Sequence, residues 1–236
     1  GILTIGTGIT VRGQRGYLGY NPNVGGSTNA VVVNNGTIQA DVSGGTININ
    51  GGSLQNTAAI KAFNGGTIAI NGTSTGSRSS GILDAATGST ITVNALFSNA
   101  GNTMSFSGAG SLNLGGTTTN GIISVAAGTN LSMLGTLDAV TVDGDFRVIG
   151  NNWVTVINGL TLNGVATLGD PAVPSQYGYM WFNGSQTLGG TGSVVFGNSS
   201  VGNSLVMNTS AGILTIGTGI TVRGQRGYLG YNPNVG

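Results

Sequence analysis

The stretch Gly44–Gly51 reads GGTINING, and the later stretch Gly65–Gly72 reads GGTIAING. Each stretch opens with two small residues and then alternates apolar and polar side chains, which is typical of a short β-strand with one buried face. Each closes on Asn-Gly, a pair that tolerates positive φ angles and lets the chain turn at little steric cost. A strand motif that returns after a fixed interval indicates a chain built from short repeats.

The same strand motif recurs along much of the chain. Its first apolar position falls at residues 47, 68, 91, 112, 131 and 154, so that successive steps are 21, 23, 21, 19 and 23. Two later instances begin at Val194 and Leu214. Parallel strands stacked coil upon coil require such a period, whereas the hairpins of an antiparallel sandwich do not predict it. We therefore predict a parallel β-solenoid with about 21 residues per coil, with the antiparallel sandwich as the competing fold.

An outer repeat encloses these coils. Residues 1–25 read GILTIGTGITVRGQRGYLGYNPNVG, and residues 212–236 read the same without change, at an offset of 211. We interpret residues 1–211 as one full tandem repeat of a continuous solenoid and residues 212–236 as the start of the next. Counting two coils from Leu3 to Ile47 and two from Val154 to Val194 gives about ten coils per unit. At an interstrand spacing of about 4.8 Å, ten coils predict a rise of about 48 Å.

Two arrangements fit the repeated ends. The units are either joined in one covalent chain or stacked end to end as separate subunits. In both arrangements the predicted partners are neighbouring identical repeats or subunits.

The composition narrows the chemistry of the chain. Its 236 residues include 46 Gly, no Cys and no His, only 6% are charged, and Lys61 is the single lysine. Acid–base and hydrolytic mechanisms mostly draw on His, Cys, Glu or paired carboxylates, so we expect no enzymatic activity and no cofactor. The net charge of +1 predicts no affinity for nucleic acid. The short apolar runs predict no membrane insertion.

Several stretches resemble the β-helical repeats of bacterial surface proteins, namely GILTIGTGITVRGQRGYLG (1–19), NNGTIQADVSGGTINING (34–51) and GSQTLGGTGSVVFG (184–197). The relatives are the autotransporter passengers and the filamentous-haemagglutinin-type adhesins. The resemblance implies a right-handed parallel β-helix, export to the cell exterior, and a role as a stalk, fibre or adhesive surface. It identifies no functional residue, because these repeats are defined by their strand and turn pattern.

We therefore expect a structural repeat segment of a long extracellular surface fibre or stalk. The alternative is an adhesin module that recognises a glycan or a surface protein. Two groups of residues are candidates for such a contact.

The first candidate contact is an aromatic row. Alternation along a strand places Tyr177, Tyr179 and Trp181 on one face and Met180 and Phe182 on the other. An exposed aromatic row suits stacking on sugars or on a protein partner. The row adjoins the Pro-bearing segment 169–179, which we predict to be a protruding loop. The other interpretation is that this loop folds back and buries the row as a small satellite core.

The second candidate contact is a pair of arginines. Arg12 and Arg15 recur as Arg223 and Arg226 in the repeated stretch. In a long array they provide a regularly spaced contact for acidic glycans or phosphate groups. The favoured interpretation is that these charges keep an apolar strand soluble.

Three carboxylates lie close together in the segment LDAVTVDGDF, which spans residues 137–146. Asp138, Asp143 and Asp145 have the oxygen ligands that calcium prefers. The favoured interpretation is that they are turn residues facing water, so they form only a weak calcium candidate and we predict no metal site.

Overall fold

The structure is a computed structural model that describes residues 1–72 and 76–234. The chain is all-β, and its parallel sheets stack as a β-solenoid of about 9 turns with a spacing of about 23 residues. The predicted fold class is confirmed. The antiparallel sandwich is wrong, because the strand ladders are parallel. The predicted ten shorter coils are corrected to about 9 turns at about 23 residues.

Long coils account for the corrected count. Leu3 and Ile47 belong to different ladders, since Leu3 pairs with Val32 while Ile47 pairs directly with Gly16. The chain from residue 16 to residue 47 is therefore one long coil rather than part of two short ones. The intervening residues 20–30 contain the Asn-Pro-Asn excursion and little strand.

A second long coil lies between residues 154 and 180. Val154 pairs with Met180, and Val194 pairs with Ala166, so Val154 and Val194 also lie in different ladders. The extra length comes from residues 169–177, which contain no strand. Loops between strands change the coil length without disturbing the stacking of the strands themselves.

The chain divides into two compact units, Gly1–Leu131 and Ser132–Gly236. The strands of the first unit are β1 (Ile2–Ile5), β2 (Thr10–Gly13), β3 (Arg15–Gly19), β4 (Val31–Asn34), β5 (Thr37–Ala40), β6 (Thr46–Gly51), β7 (Ser53–Asn56), β8 (Ala59–Ala62), β9 (Thr67–Gly72), β10 (Arg78–Ser79), β11 (Ile82–Ala85), β12 (Thr90–Val93), β13 (Leu96–Ser98), β14 (Thr103–Ser107), β15 (Ser111–Leu114), β16 (Thr117–Thr119) and β17 (Ile122–Val125). They stack in the orders β1-β4-β7-β10, β2-β5-β8-β11-β14-β17 and β3-β6-β9-β12-β15, and β13 pairs with β16.

The core of the first unit is a set of apolar columns. Ile47, Ile68, Ile91 and Leu112 pair in register along β6, β9, β12 and β15, and all four are buried. Side chains between them point to the other face of each strand, as the period of two requires. Full burial of such a side chain contributes about 1.5–3 kcal/mol. The columns therefore hold the coils at one register.

Buried polar side chains lie where one set of stacked strands ends in the same unit. Asn34 donates to Asn56 across 2.7 Å, and Asn56 donates to the hydroxyl of Ser79 across 3.2 Å. Asn99 continues the series by accepting from the backbone N–H of Ser79 at 2.8 Å. All four residues are buried. Each polar group therefore has a partner in the neighbouring coil, which offsets the cost of removing it from water.

The strands of the second unit are β18 (Leu131–Met133), β19 (Thr136–Asp143), β20 (Phe146–Val148), β21 (Asn152–Leu162), β22 (Val165–Leu168), β23 (Gly178–Asn183), β24 (Gln186–Gly190), β25 (Ser193–Phe196), β26 (Asn203–Met207), β27 (Leu214–Ile216), β28 (Thr221–Gly224) and β29 (Gly227–Gly230). The first residue of β18, Leu131, is the last residue of the first unit. They stack in the orders β18-β20-β22-β25-β28, β19-β21-β23-β26-β29 and β21-β24-β27.

The long strand β21 bends and contributes to two ladders. Its first half, Asn152–Ile157, pairs with β23, and its second half, Leu160–Leu162, pairs with β24. Asn158 and Gly159 lie between the halves with φ values of +56° and +92°. An Asn-Gly pair accepts this geometry at low cost, so the sequence itself sets the corner.

The two identical stretches take the same strand and turn pattern. Gly13 and its counterpart Gly224 have φ values of +138° and +136°, and Gly19 and Gly230 have +89° and +88°. The first copy pairs with the coil that follows it, through β1–β4, β2–β5 and β3–β6. The second copy pairs with the coil that precedes it, through β24–β27, β25–β28 and β26–β29. The repeated sequence therefore pairs through one strand edge in the first copy and through the opposite strand edge in the second copy.

Candidate functional site

The aromatic row lies on β23 and on the residue before it. Met180 and Phe182 point inward and are fully buried, so alternation places Tyr179 and Trp181 on the outer face. The ring of Tyr179 lies 5.8 Å from that of Tyr177 at an interplanar angle of 16°. It also lies 5.5 Å from the ring of Trp181 at 49°. The predicted row is therefore a contiguous set of rings.

A fourth ring joins the row from the preceding coil. Trp153 on β21 pairs in register with Tyr179, and their rings stack 5.9 Å apart at 11°. Trp153 also lies 5.6 Å from Trp181. Trp153 was not predicted as part of the row, because a uniform coil length does not bring its strand beside Tyr179. The sequence predicts a protruding loop at residues 169–179 but not how many residues this loop adds to the coil, so the pairing of Trp153 with Tyr179 is not predicted.

The four rings differ in how much of each meets solvent. Trp153 is 43% exposed, whereas Tyr179 at the centre is only 6% exposed. Tyr177 and Trp181 are half-buried. Burial, and to a lesser degree the neighbouring Tyr177, raises the pKa of the Tyr179 hydroxyl above its usual value. The aromatic cluster, defined as Trp153, Tyr177, Tyr179 and Trp181, thus has a buried centre and an exposed indole.

The loop beside the cluster is held at its base. The backbone N–H of Tyr177 donates to the side chain of Asn151 at 3.0 Å. The side-chain oxygen of Asn203 accepts from the N–H of Gly178 at 3.1 Å. Residues 171–175 of the loop are exposed. These bonds fix the start of β23 and hence the direction of the aromatic side chains.

The arginine candidates occupy different surroundings. Arg12 forms an ion pair with Asp41 of the following coil while its own side chain stays 66% exposed. A hydrogen bond from the Gln39 side chain and the charge of Arg12 hold the pKa of Asp41 below its usual value, against the opposing effect of burial. Arg15 is exposed beside a cavity of about 180 Å³ in the first coil.

The second pair of arginines lies on the last coil. Arg223 on β28 and Arg226 just before β29 are both exposed. The backbone of Arg226 is held by the preceding coil, since its carbonyl accepts from Asn203 at 3.1 Å. The exposed guanidinium groups therefore stand on a fixed backbone. This arrangement fits a contact for acidic groups and also fits charges that keep an apolar strand soluble.

The three aspartates each bond to the following coil rather than to a shared centre. Asp138 accepts from Asn158 at 2.7 Å, and Asp143 accepts from Asn163 at 2.7 Å. Asp145 accepts from the backbone N–H of Val165 at 2.8 Å. Among the described residues, no group of three or more His, Cys, Asp or Glu side chains is arranged to hold a metal ion. The three carboxylates therefore join successive coils through hydrogen bonds.

Comparison with family models, with curated proteins and with solved structures finds no match to this chain. Over residues 1–72 and 76–234, the structure has no helix long and apolar enough to cross a membrane.

Proposed function

We propose that the chain is a structural repeat segment of a long extracellular surface fibre or stalk of a bacterium, built by coaxial stacking of solenoid units. Its partners are neighbouring identical repeats, and it is not an enzyme. The sequence composition supports this role, because the sequence has no His, Cys or Glu, on which acid–base and hydrolytic mechanisms mostly draw.

One observation carries the proposal. Each strand of the repeated stretch has a parallel partner above it in the first copy and a parallel partner below it in the second. The two sets of partners use opposite edges of the same three strands. A coil with this sequence therefore fits between residues 186–207 of one unit and residues 31–50 of the next. Unpaired strand edges are a liability that proteins normally cover, and a continuous array covers both.

Protease treatment of intact source cells tests the location and the role together. An external fibre is degraded without cell lysis, while a cytoplasmic marker protein in the same cells stays intact. Resistance of the protein until the cells are lysed contradicts the proposal. A denaturing gel then separates the two arrangements of the array: a mass far above 23.3 kDa indicates covalent tandem units, and a mass near 23.3 kDa indicates stacked subunits.

The aromatic cluster supports a second candidate function, that of an adhesive module. Its exposed Trp153 ring, backed by the stacked ring of Tyr179, offers a flat apolar surface of the kind that stacks on sugars. A glycan array probed with the chain tests it. Saturable binding that is lost in Trp153→Ala and kept in Arg15→Ala supports the module, whereas an array without binding contradicts it.

A further inference from the structure

A groove lies where β19, β21 and β24 turn a corner in the second unit. This corner groove is lined by residues 139–141, 158–161, 187 and 189 and has a volume of about 300 Å³. Ala139 and Asn158 turn the backbone there with φ values of +53° and +56°, and Gly159 follows with +92°. Small-molecule sites in proteins have volumes of about 300–1,000 Å³. The corner groove is therefore large enough for part of an organic ligand.

The polar groups of the corner groove are hydroxyls. Thr161 and Thr187 are exposed and Thr141 is half-buried. Within the described part of the chain, no hydrogen bond uses any of these three hydroxyls. Gly189 leaves the space beside them open, because a Cβ added there would approach only the Thr187 methyl group, at 3.9 Å, apart from its chain neighbours. Each hydroxyl can donate and accept, so the groove suits a ligand that carries many hydroxyl groups.

The corner groove and the aromatic cluster lie along the same strand. Trp153 is near the start of β21, and the groove begins five residues later, about 16 Å away at about 3.3 Å per residue. The outward residues between them form two cross-strand pairs, Thr155 with Trp181 and Ile157 with Asn183. All four are half-buried. The cluster and the groove are thus the two ends of one strip of surface.

This strip favours an uncharged ligand. None of the residues that line the corner groove or form the aromatic cluster carries a charge. The carboxylate beside the groove belongs to Asp138, which is held in place by a 2.7 Å hydrogen bond from Asn158. Its negative charge disfavours a second anion nearby. An acidic chain therefore gains no ion pair from these residues and meets repulsion at the groove.

We propose that the aromatic cluster and the corner groove form one extended site for a linear, neutral polysaccharide. This proposal rests on the adhesive module described above and names its ligand class. The apolar faces of sugar rings stack on Trp153 and Trp181. Further sugar units along the strip place their hydroxyls against Thr141, Thr161 and Thr187 in the groove. A short oligosaccharide covers the cluster alone, and a longer one reaches the groove as well.

Two glycines provide a matched pair of variants. Gly189→Val fills the corner groove and leaves the aromatic cluster unchanged. Gly115→Val adds the same side chain at an exposed position of the first unit, where an added Cβ lies 3.4 Å from the Asn94 side-chain oxygen. Neither glycine has a positive φ, so the backbone accepts valine at both positions. Trp153→Ala removes the exposed ring of the cluster.

Tryptophan fluorescence measures binding directly, because the two tryptophans of the chain, Trp153 and Trp181, both belong to the cluster. The probes are cello-, xylo-, manno- and malto-oligosaccharides, each from the dimer to the hexamer. We expect at least one series to bind at least about tenfold more tightly as the hexamer than as the dimer. In Gly189→Val this gain with length is lost and the dimer binds as before. Gly115→Val is expected to match the unmodified chain, and Trp153→Ala to weaken binding at every length.

Three results overturn the proposal: no binding of any neutral series, equal affinity for dimer and hexamer, or a full gain with length in Gly189→Val. Oligogalacturonates of the same lengths test the charge preference at about 0.15 M salt. We expect them to bind at least about tenfold more weakly, and equal or tighter binding overturns the neutral class. Circular dichroism verifies that each variant is folded, and Gly189→Ala repeats the comparison if valine unfolds the chain.

Failure of this proposal is distinguishable from failure of the adhesive module. If binding is lost in Trp153→Ala but neither chain length nor Gly189→Val affects it, the aromatic cluster binds glycans without the groove. If the glycan array shows no binding at all, the module itself fails.

Discussion

The side-chain amide of Asn34 donates a 2.7 Å hydrogen bond to the side-chain oxygen of Asn56, which lies in the next coil and is equally buried. The bond joins the last residues of strands β4 and β7, which pair in register where the two strands end. It therefore holds the corners of successive coils above one another, while the apolar columns hold the strand faces.

Asn56→Ala tests this buried ladder. The substitution removes the Asn56 partner of the Ser79 hydroxyl and of the Asn34 amide, which keeps only its 3.2 Å bond to the Ala59 carbonyl. An unsatisfied buried polar group costs about 1–3 kcal/mol. We expect a loss of that size in the free energy of unfolding, measured in urea. Asn94→Ala is the matched control, because Asn94 donates to Asn71 at 2.9 Å in an exposed ladder. The control is expected to cost less than about 0.5 kcal/mol. Equal losses in both variants would contradict a specific role for the buried ladder.

Ile68 lies in the middle of an apolar column, between Ile47 and Ile91. Ile68→Val is expected to lower the free energy of unfolding by about 0.5–1.5 kcal/mol, and Ile68→Ala by about 2–5 kcal/mol. The graded loss follows from the volume removed between two close-packed coils. Thr92→Ala, at an outward position, is the control in the same urea experiment. A loss from Thr92→Ala as large as that from Ile68→Ala would show that the columns do not carry the stability.

Asp41 makes the stability depend on pH. Its folded-state pKa is held below the usual value of 3.8 by Gln39 and Arg12. A carboxyl with a lowered folded pKa stabilises the fold above its unfolded pKa, and this contribution is lost as the pH falls through the folded pKa. We therefore expect the urea concentration at the midpoint of unfolding to decrease once the pH drops below about 4. In Asp41→Asn this part of the pH dependence disappears, whereas Asp143→Asn retains it. An unchanged pH profile in Asp41→Asn contradicts the assignment.

Trp153 covers Tyr179, and this cover is measurable through the tyrosine hydroxyl. Because burial raises the pKa of Tyr179, Trp153→Ala is expected to lower that pKa towards its ordinary value. Alkaline titration of tyrosine absorbance should show one tyrosine that ionises at a lower pH in the variant. Tyr231→Phe is the control, because it removes a tyrosine that is 66% exposed and leaves the cover of Tyr179 in place. A titration curve unaltered by Trp153→Ala would mean that Trp153 does not shield Tyr179.

The sequence was most informative where strands repeat without insertion. From Ile47 to Leu112 the apolar steps alone predict the in-register column of the structure. The prediction fails where a loop lengthens a coil, because a period shows that strands recur but not how much chain lies between them. Trp153 was missed for this reason. The bulge at Ala139, with a φ of +53°, was also beyond the pattern, since alanine rarely signals that conformation.

The length of multi-unit chains tests coaxial stacking most directly. Chains with one, two and three copies of the unit 1–211, each ending in the stretch 212–236, are measured by electron microscopy. With about 9 turns per unit and about 4.8 Å per turn, each added unit lengthens a straight rod by about 43 Å. A single rod that grows by this increment is the predicted result. Separate globules joined by flexible links, or a length that does not increase with each unit, would contradict the proposed fibre.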